Sequence, residues 1–383
     1  MGKRAGATRI VYVVDNIGFR GGERTFLQLV SGLPRARYDA AVACTPGGVF
    51  VERLHDLGVP VIAAEMRRRR RLDTVLALAR EFRRRRPHIV HTQGRGDPFG
   101  RLAARLAGVP AVVSTTAMIS SRYEVREWWR KAMYRLIDST TDRLVDRYIV
   151  VNRASVETLT DRHRIPPSRV AVIPNGIEID RYDPGRAETG AWRARLRVPG
   201  GATLIGGIGH LNWQKGFPDL IKAFASLEIP DAWLVIAGDG PDWEELRGLA
   251  RSLGVAERVV MPGFADDVPG LLADLDLFVL SSHREGHPMV LLEAMAMARP
   301  VVATDIAGVG DTIADGVDGR LVPVGDVAAL AEAMATLLGD PKTARRLARN
   351  ARKKIEREYT VERMVRRTAV LYDELLAEKG IVV

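Results

Sequence analysis

The chain has 383 residues, 46% of them hydrophobic, and a formal net charge of +10. This length exceeds what one hydrophobic core usually serves, so two domains are expected. The single cysteine, Cys44, excludes a disulfide framework and a multi-cysteine metal site, and fits a reducing compartment. No apolar run approaches the ~20 residues that span a bilayer, and Asp15 interrupts the first apolar run too early for a signal peptide. We therefore expect a cytoplasmic protein whose positive charge predicts an anionic partner: nucleic acid, an anionic membrane or a phosphorylated metabolite.

The first half of the chain alternates short apolar runs with helical patterns, which is typical of a parallel sheet flanked by helices. After the first run comes a loop with Gly18, Gly21 and Gly22, where glycine lets the backbone approach a ligand closely. This loop is not the spaced dinucleotide fingerprint, so alone it is a weak signal. The predicted strands are Thr8 to Val14, Asp39 to Cys44, Val59 to Ala63, His88 to Thr92, Ala111 to Thr115, Tyr148 to Val151 and Val170 to Ile173.

A second alternating series follows a segment rich in Arg, Gly and Pro, Glu178 to Gly201, which we interpret as an interdomain connection. The tail from about Pro341 to Glu378 is helical and charged, with a predicted break at Tyr359 and Thr360. The predicted strands are Thr203 to Gly209, Trp233 to Ala237, Arg258 to Met261, Leu277 to Leu280, Pro300 to Ala303 and Arg320 to Val322, and the helices between them carry Leu220, Leu246, Leu271, Leu291 and Leu330.

The sequence thus predicts an α/β protein with two doubly wound domains. We place the first at residues 1–178 and the second at 179–358, with a C-terminal helix at 359–383 crossing back to the first domain. Ligands of such sheets bind at the carboxyl ends of the strands, so the site is expected in the cleft between the domains.

The stretch 282–296 is the strongest candidate for chemistry. Glu285 and Glu293 flank Pro288, which suits the first turn of a helix because its missing N–H costs nothing there. Glu285 then lies in the preceding loop, and Glu293 about 8 Å further along the helix axis. The first free amides would carry partial positive charge and suit a diphosphate, and they are those of Met289, Val290 and Leu291. The alternative, a surface loop with a core helix, is about equally probable from this stretch alone.

Several segments together resemble a known family, the retaining nucleotide-sugar glycosyltransferases of the GT-B fold, specifically glycosyltransferase family 4. The resemblance covers nearly the whole chain and is densest in the second half. It implies two Rossmann-like domains facing across a cleft. The matching segments are GHLNWQKGFPDLIKAF, LVIAGDGP, the run from RVVMPGF through SSHREGHPMVLLEAMAMARPVVATDIAG, and DGVDGRLVPVGD, with shorter matches in GFRGGERTFLQL, PHIVHTQGRGD and VIPNGIEIDRYDP.

The resemblance also implies roles for individual residues. Glu285, Lys215 and His210 would form the catalytic set, with Glu285 on the donor sugar and Lys215 on the diphosphate as a point charge. Glu293 would bind the ribose hydroxyls, and Gly22 would close on the phosphates from across the cleft. The donor-binding set is Gly22, Gly209, Pro262, Phe264, Gly286, His287, Pro288, Met289, Val290, Leu291 and Glu293, with Pro262 to Phe264 holding the base; the acceptor side would include Arg20, His91 and Thr116.

The implied activity is that of a hexosyltransferase, retaining and independent of a metal ion, in which the leaving diphosphate takes the proton of the acceptor hydroxyl. The donor would be a UDP- or GDP-sugar, with no cofactor required. A carbohydrate or lipid-linked acceptor is expected, in cell-envelope glycan, glycolipid or lipopolysaccharide-type biosynthesis. The nearest acidic pair, Asp266 and Asp267, is better explained by helix capping than by metal binding.

Several positions depart from the family pattern. His210 stands where arginine is usual, and Thr116 stands where many members have a histidine near the donor sugar and acceptor. Threonine can donate a hydrogen bond but cannot act as a base. His91 is interpreted as a buried, hydrogen-bonded histidine rather than a catalytic one. Ala298 and Asp311 replace a frequent glycine and glutamate, which we interpret as variation in packing and loops.

Residues 120–146 predict an amphipathic, cationic helix that carries Trp128 and Trp129. With the arginine runs 67–71 and 83–86 it could rest on an anionic lipid surface, at the inner face of the cytoplasmic membrane, and receive a lipid-linked acceptor. The alternative is an apolar stripe packed on the first sheet with a solvated basic face.

Two other functions remain as alternatives. Nucleotide-sugar 2-epimerases share the two-domain architecture, although the EGHPMVLLE segment together with Lys215 favours sugar transfer. A non-enzymatic nucleic-acid binder is suggested by charge alone, without zinc-ligand spacing or an aromatic ribonucleoprotein motif. We therefore expect no nucleic-acid partner.

Overall fold

The computed structural model describes residues 6–15, 21–66, 71–94, 97–116, 137 and 139–383. The chain forms two compact units, one of Met1–Gly176 with Val361–Val383 and one of Ile177–Thr360. The chain passes from one unit to the other after Gly176 and after Thr360, each within two residues of the boundary expected from the sequence.

The first unit is built on seven parallel strands in the order β3-β2-β1-β4-β5-β6-β7. Val14 at the end of β1 is level with Cys44 on one side and Gln93 on the other, so the carboxyl ends of these strands form one edge. The strands are β1 Thr8–Val14, β2 Tyr38–Cys44, β3 Val61–Ala63, β4 Ile89–Gln93, β5 Ala111–Thr116, β6 Arg147–Val150 and β7 Val170–Val172. The described helices are α1 Gly21–Gly32, α2 Val49–Asp56, α3 Arg71–Arg85, α4 Asp97–Leu106, α5 Ala154–Glu157 and, in the tail, α13 Val361–Glu378.

The second unit has six parallel strands in the order β10-β9-β8-β11-β12-β13. The strand order reverses between β8 and β11, so the loops after these two strands diverge and leave a crevice at the carboxyl edge, where doubly wound sheets bind ligands. The strands are β8 Thr203–Ile208, β9 Ala232–Ala237, β10 Val259–Gly263, β11 Leu277–Leu280, β12 Val301–Thr304 and β13 Arg320–Val322. The helices are α6 Ala191–Arg195, α7 Phe217–Ala225, α8 Trp243–Ser252, α9 Val268–Asp274, α10 Met289–Ala296, α11 Val327–Gly339 and α12 Pro341–Glu358.

All thirteen predicted strands are present, with bounds within two residues of those expected. Their apolar runs are continuous because a parallel sheet is covered by helices on both faces, so successive side chains enter one core or the other. In the second sheet, Leu234 and Val279 pack in one core while Val235 and Phe278 pack in the other. The leucines expected in the helices of the second unit are buried there. The two doubly wound domains are therefore confirmed.

The interpretation of residues 178–201 as a connection is wrong, because the segment belongs to the core of the second unit. Tyr182 and Trp192 are 1% and 3% exposed and pack in the same cluster as helix α10. The indole N–H of Trp192 donates to the carbonyl of Asp267 at 3.0 Å. Arginine, glycine and proline in this segment reflect turns around a short helix, α6, rather than a linker.

The tail is helical as expected, and the predicted break at Tyr359 and Thr360 lies between helices α12 and α13. Asp340 caps α12 by accepting from the amides of Lys342 and Thr343 at 3.1 and 3.0 Å. Ile177 pairs with Thr360 in a parallel bridge, so the chain enters and leaves the second unit at neighbouring positions. None of the helices in the described ranges is long and apolar enough to cross a membrane.

Candidate active site at the second sheet

Lys215 is positioned by a tight turn, Trp213–Lys215, that follows β8. The turn ends at Gly216, whose φ of 60° is left-handed and where a Cβ would collide with the carbonyl oxygen of Ser281. A Cβ on Gly209 would lie 3.0 Å from Cε of Lys215, so the lysine stem runs over that glycine. Gly216 is therefore required for the loop after β8 to pack against the loop after β11, and Gly209 leaves room for the lysine stem.

The ammonium of Lys215 meets the carboxylate of Glu285 across the crevice, with Nζ 2.5 Å from Oε1. The hydroxyl of Ser282 donates to the same oxygen at 2.9 Å, and the hydroxyl of Ser281 donates to the carbonyl of Lys215 at 3.0 Å. The Lys215 and Glu285 side chains are 19% and 11% exposed, so the pair is largely shielded. Within the described chain Oε2 of Glu285 has no partner, which leaves it able to accept from a substrate hydroxyl.

Glu293 lies on the second turn of α10 and is only 4% exposed. Its Oε1 accepts from the phenol of Tyr182 at 2.8 Å. A carboxylate buried to this degree is stable only when it is hydrogen-bonded. Tyr182 therefore fixes its orientation, through a contact between residues 111 positions apart in the chain.

Helix α10 begins at Met289, with Pro288 as its N-cap. The amide of Leu291 donates to the carbonyl of Pro288 at 3.1 Å, so the expectation of a free amide at Leu291 is wrong. A bond of this type tightens the first turn of a helix. The amides of Met289 and Val290 precede it, and the partial positive charge of the helix end lies between Glu285 and Glu293 as expected.

His210 sits in the loop after β8, with Nδ1 3.4 Å from Oδ1 of Asp239. Its side chain is 27% exposed. The amide of Leu211 donates to the carbonyl of Asp239 at 2.7 Å, which ties this loop to the loop after β9. A Cβ on Gly238 or Gly240 would collide with the backbone of the β8 loop, so the two loops can be this close only with glycine at both positions.

The region expected to hold the nucleotide base lies at the end of β10. Pro262 and Gly263 end the strand, and Phe264 follows with 69% of its surface exposed. The amide of Gly238 donates to the carbonyl of Gly263 at 2.8 Å, so the loops after β8, β9 and β10 form one bonded series along the carboxyl edge. Asp267 caps helix α9 by accepting from the amide of Gly270 at 3.0 Å, which confirms the capping interpretation.

His287 is buried beside Gly286 and stacks on Tyr359, with ring centroids 5.4 Å apart. Its Nε2 lies 3.1 Å from Oγ1 of Thr312. Burial lowers the pKa of His287 to about 4, so the ring is neutral at pH 7. Its side chain packs on Tyr359, and the neutral ring brings no positive charge to an anion.

The acceptor-side residues belong to the first unit. Thr116 ends β5 and is partly exposed, and Gly22 is exposed at the start of α1 with open space where a Cβ would be. Arg20 lies outside the described residues, as does the tryptophan-bearing helix expected at 120–146 except for 137 and 139–146, which end in a tight turn at Asp142–Leu144. The structure brings Lys215, Glu285, Glu293, His210, Gly209, Pro262, Phe264 and residues 286–291 together along one sheet edge; Gly22, His91 and Thr116 are in the other unit.

His91 is 2% exposed, with Nδ1 2.5 Å from the phenol oxygen of Tyr372 and Nε2 2.7 Å from Oγ1 of Thr115. Burial lowers its pKa to about 3. Both ring nitrogens are therefore engaged inside the protein, and a buried ring with so low a pKa is a weak base that a substrate does not reach.

Among the described side chains, no group of three or more His, Cys, Asp or Glu residues could hold a metal ion.

Comparison with known proteins gives two consecutive family matches. Residues 19–181 match the model described as Glycosyltransferase Family 4, and residues 188–354 match Glycosyl transferases group 1. An alpha-D-kanosaminyltransferase of Streptomyces kanamyceticus is 32% identical over 301 residues, which cover 74% of this chain and 76% of the relative. The chain belongs to the glycosyltransferase family described by these two models, Glycosyltransferase Family 4 and Glycosyl transferases group 1.

Two longer matches extend over almost the whole protein. The UDP-Gal:alpha-D-GlcNAc-diphosphoundecaprenol alpha-1,3-galactosyltransferase of Escherichia coli is 26% identical over 369 residues, 94% of this chain and 95% of the relative. The Anabaena Alr3699/HepE structure in complex with UDP superposes with a TM-score of 0.84 over 96% of this chain and 100% of that one, at 22% identity. The expected GT-B architecture of two Rossmann-like domains is confirmed, and the protein is a glycosyltransferase that uses a nucleotide sugar.

Sequence reasoning missed three features of this glycosyltransferase. Ser282 stands three residues before Glu285 in a loop, and no local sequence rule predicts that its hydroxyl donates to that carboxylate. The imidazole of His283 lies 2.6 Å from Asp219 on helix α7 and braces the same loop. Tyr182 carried no signal, because its partner Glu293 is distant in sequence.

Ser282→Ala is expected to lower kcat/KM about tenfold, because a hydrogen bond to a charged group contributes ~1.5–3 kcal/mol and part of it is lost when the Glu285 carboxylate can rotate. Initial rates at varied donor concentration measure the effect. Ser252→Ala, which removes an exposed hydroxyl bonded only to Leu249, is the matched control and should leave the rate unchanged. An unaltered kcat/KM in a folded Ser282→Ala enzyme would exclude a positioning role for this hydroxyl.

His210 can be tested by two substitutions at its position. If its ring contacts the diphosphate, His210→Ala should lower kcat/KM, whereas His210→Arg should retain it, because arginine also presents a donor and a positive charge there. Equal kcat/KM in wild type and a folded His210→Ala enzyme would remove His210 from the catalytic set.

Proposed function

We propose that this glycosyltransferase transfers a sugar from a UDP-sugar to a hydroxyl of a carbohydrate or lipid-linked acceptor, with retention of anomeric configuration and without a metal ion. The observation that carries the proposal is the shielded contact of Lys215 with Glu285 at the strand-order reversal, 2.5 Å apart and next to the start of α10. One cation, one carboxylate and one helix end are the groups needed for a diphosphate bonded to a sugar.

Each group has a distinct part in holding the donor. Lys215 and the first amides of α10 bind the diphosphate. Glu285 accepts from a sugar hydroxyl through Oε2, while Ser282 and Lys215 hold its Oε1. Glu293 accepts from the ribose hydroxyls, and the loop from Pro262 to Phe264 contacts the base.

The transfer step needs little acid or base chemistry from the protein. The bond from the anomeric carbon to the leaving phosphate oxygen breaks as the acceptor oxygen bonds to that carbon on the same face. The acceptor proton passes to the leaving diphosphate. Charge grows on the diphosphate, and Lys215 together with the α10 amides stabilises it in a geometry set before the reaction. Positive charge from these groups supports a reaction without a metal.

The relatives support the identity of donor and acceptor. The name of the Escherichia coli relative specifies UDP-galactose and a diphosphoundecaprenol-linked acceptor, and the Anabaena structure contains UDP. We infer a UDP-sugar donor and a lipid-linked saccharide acceptor used in cell-envelope glycan synthesis. Thr116 of the first unit is proposed to contact the acceptor. The enzyme would then act at the inner face of the cytoplasmic membrane.

The first experiment measures melting in the presence of nucleoside diphosphates, since a ligand at 100 times its Kd adds ~2.7 kcal/mol of stability. We expect UDP to raise Tm more than GDP, ADP or CDP. Transfer from UDP-sugars to a diphospholipid-linked N-acetylglucosamine is then followed by NMR of the anomeric centre, with and without EDTA. An inverted product, loss of activity in EDTA, or an epimerised nucleotide sugar would each contradict the corresponding part of the proposal.

A further inference from the structure

Helix α12 (Pro341–Glu358) has charge concentrated on one side. Its buried side chains, among them Leu347, Ala351 and Ile355, face the core of the second unit. At 100° per residue the opposite side carries a series of exposed cations, and we name four of them the cationic stripe. The stripe spans about 12 Å along the helix axis at 1.5 Å per residue. Its members are Arg345, Arg346, Arg349 and Lys353.

The stripe is not balanced by carboxylates. In the described part of the chain none of its four cations forms an ion pair, although Arg346 donates to the carbonyl of Gly316 at 3.5 Å. By contrast, Arg352 pairs with Glu356 and Arg357 pairs with Glu358 on the same helix. Arg349 lies four residues from both Arg345 and Lys353, a spacing at which like charges destabilise a helix. This charge pattern lowers the stability of the helix, which we take to indicate that the cations bind an anionic partner outside the protein.

The arginine run at 83–86 is different, because two of its members pair with a carboxylate and a third bonds to a helix end. Arg84 and Arg85 both bond to Glu81, at 2.5 Å each. Arg83 donates to the carbonyl of Leu106 at the end of helix α4, where a cation is favourable. Positive charge in that run neutralises a carboxylate and a helix end, so the stripe is the better candidate for an interaction surface.

We propose that the cationic stripe docks the enzyme on an anionic phospholipid surface. The inference rests on the proposed function, since a lipid-linked acceptor lies in a bilayer. The apolar face of α12 is buried in the protein, so the contact is electrostatic and no side chain of this helix inserts. Residues 341–358 include no aromatic side chain that could stack on a base, which favours a bilayer over single-stranded nucleic acid. Each cation near an anionic bilayer strengthens binding about fivefold.

The test is co-sedimentation of the full chain with phosphatidylcholine vesicles, with or without 30% phosphatidylglycerol. The stripe variant is Arg345→Gln, Arg349→Gln and Lys353→Gln, since glutamine keeps helix propensity. A control with the same loss of charge is Arg84→Gln, Arg186→Gln and Arg247→Gln, exposed arginines that each pair with a neighbouring carboxylate. We expect the stripe variant to bind anionic vesicles about 100-fold more weakly than wild type, and the control to stay within threefold.

Equal losses in both variants, or no binding of wild type to anionic vesicles at low salt, would overturn the proposal. Stripe-dependent binding to duplex DNA without binding to vesicles would overturn it in favour of a nucleic acid. The proposed function is assayed separately, with a short-chain acceptor and no vesicles, where the stripe variant should transfer sugar at the wild-type rate. Failure of wild type in that assay, with vesicle binding intact, would count against the proposed function alone.

Discussion

Lys215→Ala is expected to lower kcat by about 100- to 1000-fold, the effect of removing one preorganised donor to a developing oxyanion. The loss combines two consequences of one deletion. The leaving diphosphate loses its point charge, and Glu285, with a side chain 11% exposed, loses its cation and keeps only the Ser282 hydroxyl. Both act at the transition state, so kcat should fall more than the KM for donor rises.

Three variants make the Lys215 test specific. Lys222→Ala removes an exposed lysine on helix α7, seven residues further along the chain, and should retain wild-type kcat. Lys215→Arg keeps the positive charge, but the guanidinium cannot follow the path of the lysine side chain over Gly209, so activity should be intermediate. Calorimetric titration with UDP separates binding from chemistry. A folded Lys215→Ala enzyme with kcat within fivefold of wild type would remove Lys215 from the catalytic set.

The architecture was predictable from the sequence because its signals are local. Runs such as Leu277 to Leu280 are apolar on both faces, which only a sheet covered on both sides requires. The cap at Asp267 and the helix break at Tyr359 and Thr360 also follow from residue type and spacing. Alternation of strands and helices then leaves few topologies, and in this one the carboxyl ends of β8 and β11 are neighbours.

The errors concern residues whose environment is set by distant parts of the chain. The polar, glycine-rich composition of 178–201 predicts a linker, yet Tyr182 and Trp192 are buried there against α9 and α10. The expectation of a free amide at Leu291 was wrong because the first turn of the helix is tight, and that amide bonds to the carbonyl of Pro288. Ala298 was interpreted as packing variation, but its φ of 50° is left-handed, which explains why glycine is frequent there.

Glu293→Gln is expected to weaken UDP binding 10- to 100-fold, since a hydrogen bond to a charged group contributes ~1.5–3 kcal/mol. Glutamine preserves the shape of this buried side chain but leaves one acceptor oxygen in place of two. If Glu293 binds the ribose hydroxyls, wild type should prefer UDP over 2′,3′-dideoxyuridine diphosphate and the variant should bind both about equally. Tyr182→Phe, which removes the donor that orients Glu293, should show part of the same loss.

The discrimination between the two nucleotides is the decisive measurement, because it cancels any general damage to the fold. Isothermal titration with each nucleotide gives the ratio of the two affinities directly for wild type and Glu293→Gln. The control is Glu244→Gln, which alters an exposed carboxylate on helix α8. The control should keep the wild-type ratio of affinities. If Glu293→Gln weakens both nucleotides by the same factor, its carboxylate does not contact the ribose, and the buried bond with Tyr182 would then serve only to join the 178–201 segment to helix α10.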